Sequence, residues 1–216
     1  MNKRALSPLL LGAILIPALP RLSGGWAVIT VSEVPDYVVA GEETQVEFSV
    51  RQHGQNLLAG LQASVEAKSG RTRVESRARP GNGAGTYLAT LRVPSEGDWT
   101  ITVNSGFGNS RTTLVPIRAV PKFRLASFAA LAESERGRRL FVAKGCQACH
   151  EHVRAPGKGI GSAVSLTGKR FAPEYLRMYL ADPSIRPPSQ PTSFRMPNLG
   201  LKPGEITALT AFLNEG

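Results

Sequence analysis

The sequence predicts two domains of different fold class: an all-β sandwich over residues 28–120 and an all-α domain over residues 131–216, joined by a linker at 121–130. Two observations predict this division. Apolar and polar residues alternate in short runs through the first half, whereas apolar residues recur every three or four positions in the second. A chain of 216 residues is long enough for two domains that each bury a core.

The segment that precedes both domains, residues 1–27, has the pattern of a secretory signal peptide. Lys3 and Arg4 are followed by an apolar run from Leu9 to Leu19, and small residues follow at 25 and 27. This run is about half of the ~20 residues that cross a bilayer. We therefore expect a cleaved signal, no stable membrane anchor and a periplasmic protein.

The net charge of +10 at pH 7 is unevenly distributed, because residues 28–121 carry as many acidic as basic side chains. The excess of the mature chain lies in the C-terminal half. A secreted protein rarely meets nucleic acid, so we interpret this excess as a docking face for an acidic redox partner or a membrane, or as a solvated surface. Four basic side chains are candidates for that face: Arg136, Arg138, Arg139 and Lys144.

The first half predicts about seven antiparallel strands separated by turns that are rich in glycine, asparagine and proline. Val46, Phe48 and Val50 share one face of such a strand, and Trp99 begins another buried run. His53 lies in a turn, and no cysteine, methionine or second histidine accompanies it in this half. It is therefore interpreted as a turn residue and not as a copper ligand.

Two stretches of this half, PDYVVAGEETQVEFSVRQHG and GAGTYLATLRVPSEGDWTITV, carry a resemblance to a known group. They resemble the YtkA-like or FixH-like extracytoplasmic immunoglobulin-like domains. The resemblance implies an immunoglobulin-like fold and a location outside the cytoplasm, and it implies no reaction.

The second half predicts three helices, within LAESERGRRLFVAKG, APEYLRMYLADP and KPGEITALTAFLNEG. The middle segment has a stripe formed by Tyr175, Leu176, Tyr179 and Leu180, and Pro183 ends it.

Both cysteines of the chain lie in GCQACHEH at 145–152, and four kinds of chemistry use such a cluster. A disulfide between Cys146 and Cys149 would close a short loop and add little stability. A thioredoxin-like pair expects a βαβ unit, which this pattern lacks, and structural zinc expects a second cysteine or histidine cluster. The remaining chemistry is covalent haem attachment.

The C-x-x-C-H motif suits haem c, because two thiols form thioethers with the haem vinyl groups and the adjacent His150 faces the iron. Of the two methionines after Met1, we predict Met196 as the other axial ligand, because Pro197 constrains its loop. Met178 is interpreted as a core residue of the middle helix. His152 follows His150 too closely to reach the opposite face, and we expect it at the surface.

Residues 134–216 resemble a class I c-type cytochrome domain through GRRLFVAKGCQACH, LTGKRFAPEYLRMYLADP and MPNLGLKPGEITALTAFL. The resemblance implies that Gly137 lets the first and last helices cross closely, with Phe212 as its partner. Two positions depart from the family pattern. Ser162 stands where a proline carbonyl commonly accepts the imidazole N–H, and Lys202 stands where a serine or threonine cap is common.

The expected function is electron transfer by one covalently attached haem c with axial ligands His150 and Met196, and not enzymatic catalysis. Lys169 or Arg170 is a candidate to neutralise a haem propionate. Two alternatives stay open: a haem-based sensor in which Met196 dissociates, and a cytochrome subunit of a larger oxidoreductase.

Overall fold

The N-terminal region folds into eleven strands in the computed structural model, which describes residues 25–155, 157, 165–185 and 195–215. The predicted signal segment lies outside these residues except for its last three. The strands are β1 (Ala27–Val31), β2 (Tyr37–Val39), β3 (Glu43–Gln52), β4 (Asn56–Leu57), β5 (Ser64–Ser69), β6 (Thr72–Arg77), β7 (Arg79–Pro80), β8 (Thr86–Arg92), β9 (Gly97–Asn104), β10 (Arg111–Thr113) and β11 (Ile117–Val120).

Two sheets contain these strands. One has the order β1-β3-β8-β7, with β4 beside β3, and the other has the order β2-β11-β9-β5-β6, with β10 beside β9. All pairs are antiparallel except that of β2 with β11. This division of strands fits an immunoglobulin-like sandwich.

The core of the sandwich consists of the side chains that alternate inward from both sheets. Phe48 and Trp99 are fully buried, as the alternation predicted, and the Phe48 ring stacks on Tyr87 with centroids 5.6 Å apart. Trp99 also donates its indole N–H to the Ser95 carbonyl oxygen at 2.9 Å. The pattern of period two therefore identified the buried face of the main strands.

The described part of the C-terminal region contains three α-helices, but the prediction that the region is all-α was wrong. Long irregular stretches, two short 3₁₀ turns and an isolated antiparallel bridge between His152 and Ala155 occupy much of its described part. Gly145 adopts a left-handed conformation where the first helix ends, and extended Asp182 precedes Pro183 after the second. The helices are α1 (Glu133–Ala143), α2 (Pro173–Ala181) and α3 (Pro203–Asn214).

Helices α1 and α3 cross in direct backbone contact at Gly137. A Cβ atom added there would overlap the Ala208 carbonyl oxygen and lie 2.6 Å from Cβ of Phe212. Phe212 is fully buried, and its ring lies 5.6 Å from that of Phe141. The expected close crossing at Gly137 with Phe212 as its partner is confirmed.

The start of α3 has an acceptor that the sequence did not indicate. The carboxylate of Glu205 accepts a hydrogen bond from the Lys202 backbone N–H at 2.9 Å. Lys202 provides no side-chain cap, as expected, but the Glu205 side chain makes the hydrogen bond that the glutamate of a capping box makes.

The predicted linker does not separate the two regions in space. It contains a 3₁₀ helix (Lys122–Ser127), and the Tyr37 hydroxyl donates to the Ala129 carbonyl oxygen at 2.8 Å. Asp36 accepts hydrogen bonds from the Arg136 guanidinium at 2.7 Å and from the Leu131 N–H at 3.2 Å. Although partial burial opposes it, these bonds hold the pKa of Asp36 below its usual value.

The described residues contain no helix with the length and apolar character needed to cross a membrane.

Candidate functional site

Gly145 places the two cysteines and His150 on a tight turn, because its left-handed conformation (φ 78°) ends α1. A 3₁₀ turn, Cys146–Ala148, follows. The Cys146 carbonyl oxygen accepts the N–H groups of Cys149 at 3.1 Å and His150 at 2.8 Å. We call residues 145–150 the attachment turn, since it brings together three of the four predicted site residues.

Both thiols of the attachment turn are free and partly buried. Burial raises the pKa of Cys146 to about 12 and also raises that of Cys149. A thioredoxin-like pair depends on the opposite shift, a lowered pKa that provides a thiolate. The environment of these thiols therefore argues against a redox-active dithiol.

The sandwich packs directly against the attachment turn. A Cβ atom on Gly145 would lie 2.5 Å from Cγ1 of Val28 and 2.8 Å from the Ile29 carbonyl oxygen. Strand β1 thus fills the space beside the residue that precedes Cys146. Glycine is required here both by the left-handed backbone and by this contact.

Lys144 lies immediately before the attachment turn and is buried, with 5% of its surface exposed. Its Nζ donates to the Ser32 carbonyl oxygen at 2.7 Å and pairs with Oε1 of Glu205 at 2.8 Å. The hydroxyl of Thr30 donates to the Lys144 carbonyl oxygen at 3.4 Å. This lysine therefore joins β1, the end of α1 and the start of α3.

The arginines predicted for a docking face are also engaged within the chain. Arg138 pairs with Glu135 at 2.7 Å, and Arg139 reaches the same carboxylate at 3.3 Å. Arg139 also donates to the Asp36 carbonyl oxygen at 3.0 Å, and Arg136 pairs with the Asp36 carboxylate. Arg136 and Arg139 stabilise the contact between the two regions, whereas Arg138 pairs within α1. An acidic redox partner stays a prediction.

Met196 lies on a separate loop, residues 195–201, and is half-buried against the core that Cys146 also contacts. Gln55 of the sandwich donates through Nε2 to the Arg195 carbonyl oxygen at 2.9 Å. Within the loop, the Gly200 N–H donates to Oδ1 of Asn198 at 2.9 Å. We call residues 195–201 the methionine loop.

Met178 does not lie in the core, so that interpretation was wrong. It is 61% exposed on α2, whereas Leu176 and Leu180 are the buried side chains of this helix. Tyr175 is also exposed, and its ring stacks on Tyr179 with centroids 6.1 Å apart. Only half of the predicted stripe faces the core.

His152 is buried, and the prediction of a surface position was wrong. Its ring lies 4.3 Å from that of Phe212 and 6.0 Å from that of Phe141. Nδ1 accepts the Arg154 N–H at 3.2 Å, while Nε2 has no hydrogen-bond partner among the described residues. Burial lowers the pKa of His152, which favours the neutral ring that packs on these aromatic groups.

The remaining candidates lie apart from the attachment turn or at the surface. Lys169 and Arg170 are exposed, and Ser162 lies outside the described residues. His53 sits in its turn with a positive φ of 52°, donates its backbone N–H to the Trp26 carbonyl oxygen at 3.1 Å and packs its ring on Trp26.

The donor chemistry of the attachment turn fits covalent haem better than zinc. Two unpaired thiols lie on one 3₁₀ turn with an imidazole beside them, and a thioether side chain packs against the same core. In the part of the chain that the structure describes, no three histidine, cysteine or acidic side chains cluster in a way that would hold a metal ion.

Comparison with known families found one match, in the C-terminal part of the chain. Residues 134–216 match the family described as Cytochrome c. The match supports a c-type cytochrome domain in the C-terminal part of the chain, with covalently bound haem c and an electron-transfer function. No curated protein matches the chain significantly.

Several solved structures resemble parts of the chain weakly, and at TM-scores below 0.5 they carry no argument about fold or function. Domains 4 and 5 of the S-layer protein SbsC are 22% identical over 43% of this chain and 50% of that chain, with a TM-score of 0.32. The Escherichia coli adhesin FdeC is 22% identical over 46% of this chain and 32% of that chain, with a TM-score of 0.34. Trypsin-activated alpha-2-macroglobulin from Escherichia coli is 18% identical over 45% of this chain and 7% of that chain, with a TM-score of 0.34. The chain spans half or less of the length of each of these three proteins.

Proposed function

We propose that the protein is a periplasmic electron carrier with one haem c, held by thioethers to Cys146 and Cys149 and ligated by His150 and Met196. The observation that carries the proposal is the attachment turn: two free thiols and an imidazole on one turn, within the region that matches the cytochrome family.

The haem supplies one-electron chemistry, and the chain's own residues set the conditions for it. With His150 and Met196 both holding the iron, the haem would keep no open site for oxygen or peroxide. A thioether ligand also favours the ferrous state and so raises the reduction potential. The partly buried environment of Cys146 and Met196 limits the access of water to the site.

The remaining parts of the proposal concern location and partners. The signal-like pattern of residues 1–27 supports export, and the strand order of the sandwich supports a YtkA-like or FixH-like domain. The redox partner would have an acidic face, because the C-terminal half carries the positive excess. The side chains left for that contact include Lys169 and Arg170, which are exposed.

The test of axial ligation is Met196→Ala, with Met178→Ala as a matched control on the exposed face of α2. We expect the ferric wild type and Met178→Ala to show the weak long-wavelength absorption of methionine-ligated haem, and Met196→Ala to lack it. The reduced Met196→Ala protein should bind carbon monoxide, because the iron loses one of its two protein ligands.

A wild type without this band that binds carbon monoxide when reduced would contradict the proposal. The iron would then have an open face, and a ligand sensor would explain the protein better than an electron carrier.

A further inference from the structure

We propose that the sandwich domain positions both axial ligands of the cytochrome domain, with Gln55 as the residue that holds the methionine loop in place. The inference rests on the proposed function, because it assigns a role to the sandwich in the ligation of Met196. The sandwich would then contribute directly to the geometry of the redox site.

The first contact is on the side of His150. Strand β1 lies against Gly145, and Ser32 accepts a hydrogen bond from the buried Lys144. Because Lys144 and Gly145 directly precede Cys146, these contacts fix where the attachment turn begins. A shift of β1 would move the turn or remove one of the two acceptors of the buried Lys144 ammonium group.

The second contact is on the side of Met196. Nε2 of Gln55 donates to the carbonyl oxygen of Arg195, the residue directly before the methionine. Gln55 itself lies in a tight turn, in which its own N–H donates to the Gln52 carbonyl oxygen at 3.0 Å. The backbone of the residue that supplies the donor is therefore held within the sandwich.

The two contacts come from neighbouring strands of one sheet. Ala27 of β1 pairs with Gln52 at the end of β3, and Val31 of β1 pairs with Phe48. The turn that carries Gln55 follows β3 directly. Since a hydrogen-bonded ladder separates the two contact points, the sheet fixes the spacing between the attachment turn and the methionine loop.

This arrangement has a measurable consequence for ligand exchange. An external ligand such as imidazole reaches the iron only when Met196 has dissociated, so its apparent affinity is proportional to the fraction of dissociated protein. Removing the Gln55 donor removes a contact present only when the methionine loop is in place. The dissociated fraction, and with it the apparent affinity for imidazole, should rise.

The experiment titrates the ferric holoprotein with imidazole and follows the loss of the methionine band. For Gln55→Leu, which keeps the size of the side chain but not the donor, we expect about twofold tighter apparent binding, because the bond is exposed to solvent and lies at the low end of what one net hydrogen bond supplies. Gln55→Lys, which retains an N–H donor, should return towards the wild-type value. The matched control is Gln62→Leu, an exposed glutamine elsewhere on the sandwich, which should bind as wild type does.

Equal apparent affinities for Gln55→Leu, Gln62→Leu and the wild type would overturn the inference while leaving the proposed function intact. A wild type that shows no methionine band would overturn both, because no methionine ligation would exist for the sandwich to support. An equal rise for both leucine variants would also overturn it, since the effect would not depend on the Arg195 contact.

Discussion

Gly137→Ala should destabilise the cytochrome domain by about 3 kcal/mol, although alanine favours helix formation. The added Cβ has no room, because it overlaps the Ala208 carbonyl oxygen and lies 2.6 Å from Cβ of Phe212. Neither obstacle is the flexible end of a side chain, so α1 and α3 must separate. Separation loosens the contact between Phe141 and Phe212 at the centre of this domain.

The matched control for this substitution is Gly204→Ala in the first turn of α3. Apart from its own neighbours in the helix, no atom of a described residue lies within 4 Å of a Cβ built there, so the change should be neutral or slightly stabilising. Denaturant unfolding of the two holoproteins, followed by the absorption of the haem, compares their free energies of unfolding. Similar stability of the two variants would show that α1 and α3 do not cross in backbone contact at Gly137.

Lys144→Met should lower the free energy of unfolding by about 3 kcal/mol, the cost of removing one partner from a buried ion pair. The substitution leaves the carboxylate of Glu205 only 14% exposed and without its cation. It also leaves the Ser32 carbonyl oxygen without the donor that it has at 2.7 Å. Because methionine fits a similar volume, lost packing contributes little to this difference.

Lys202→Met is the matched control, since Lys202 pairs with Glu33 at the surface with both side chains largely exposed. Exposed pairs of this kind contribute little to stability, and we expect almost no change. Chemical denaturation at neutral pH measures both variants. If Lys144→Met were as stable as Lys202→Met, the junction of β1, α1 and α3 would not depend on the buried lysine.

The fold was predictable where periodicity is long and regular. Alternation over β3 identified Phe48 as buried, because successive side chains of a strand point to opposite faces. Strands β4 and β7 have two residues each, too few to show any period. The all-α prediction failed for a related reason, since helical periodicity locates helices but not the irregular chain between them.

The candidate site was predictable where the chemistry is local in sequence. Cys146, Cys149 and His150 lie within five residues. Their spacing, together with the lack of a βαβ pattern and of a second cysteine or histidine cluster, indicated haem attachment. The roles of Lys144 and His152 were missed because both depend on segments far away in the chain. Nothing near Lys144 in sequence indicates Ser32 or Glu205, and only the crossing of α1 and α3 encloses His152 between Phe141 and Phe212.

The arginines of α1 show the same limit. Arg136, Arg138 and Arg139 suggested a docking face because they lie close together in the sequence. The sequence does not reveal which acidic side chains lie opposite them in the folded chain. Asp36 comes from the other domain, and only the folded chain brings it to Arg136. Charge patterning predicted the sign of the surface but not the use of these side chains.

The most direct test of the account is the intact mass of the full chain under denaturing conditions, after expression in a bacterium that matures c-type cytochromes. The account predicts a mass that exceeds that of the polypeptide by one haem, and the loss of that increment when Cys146→Ala and Cys149→Ala are combined. A mass equal to that of the polypeptide alone, or an increment that persists in the double variant, would contradict covalent attachment at these two cysteines.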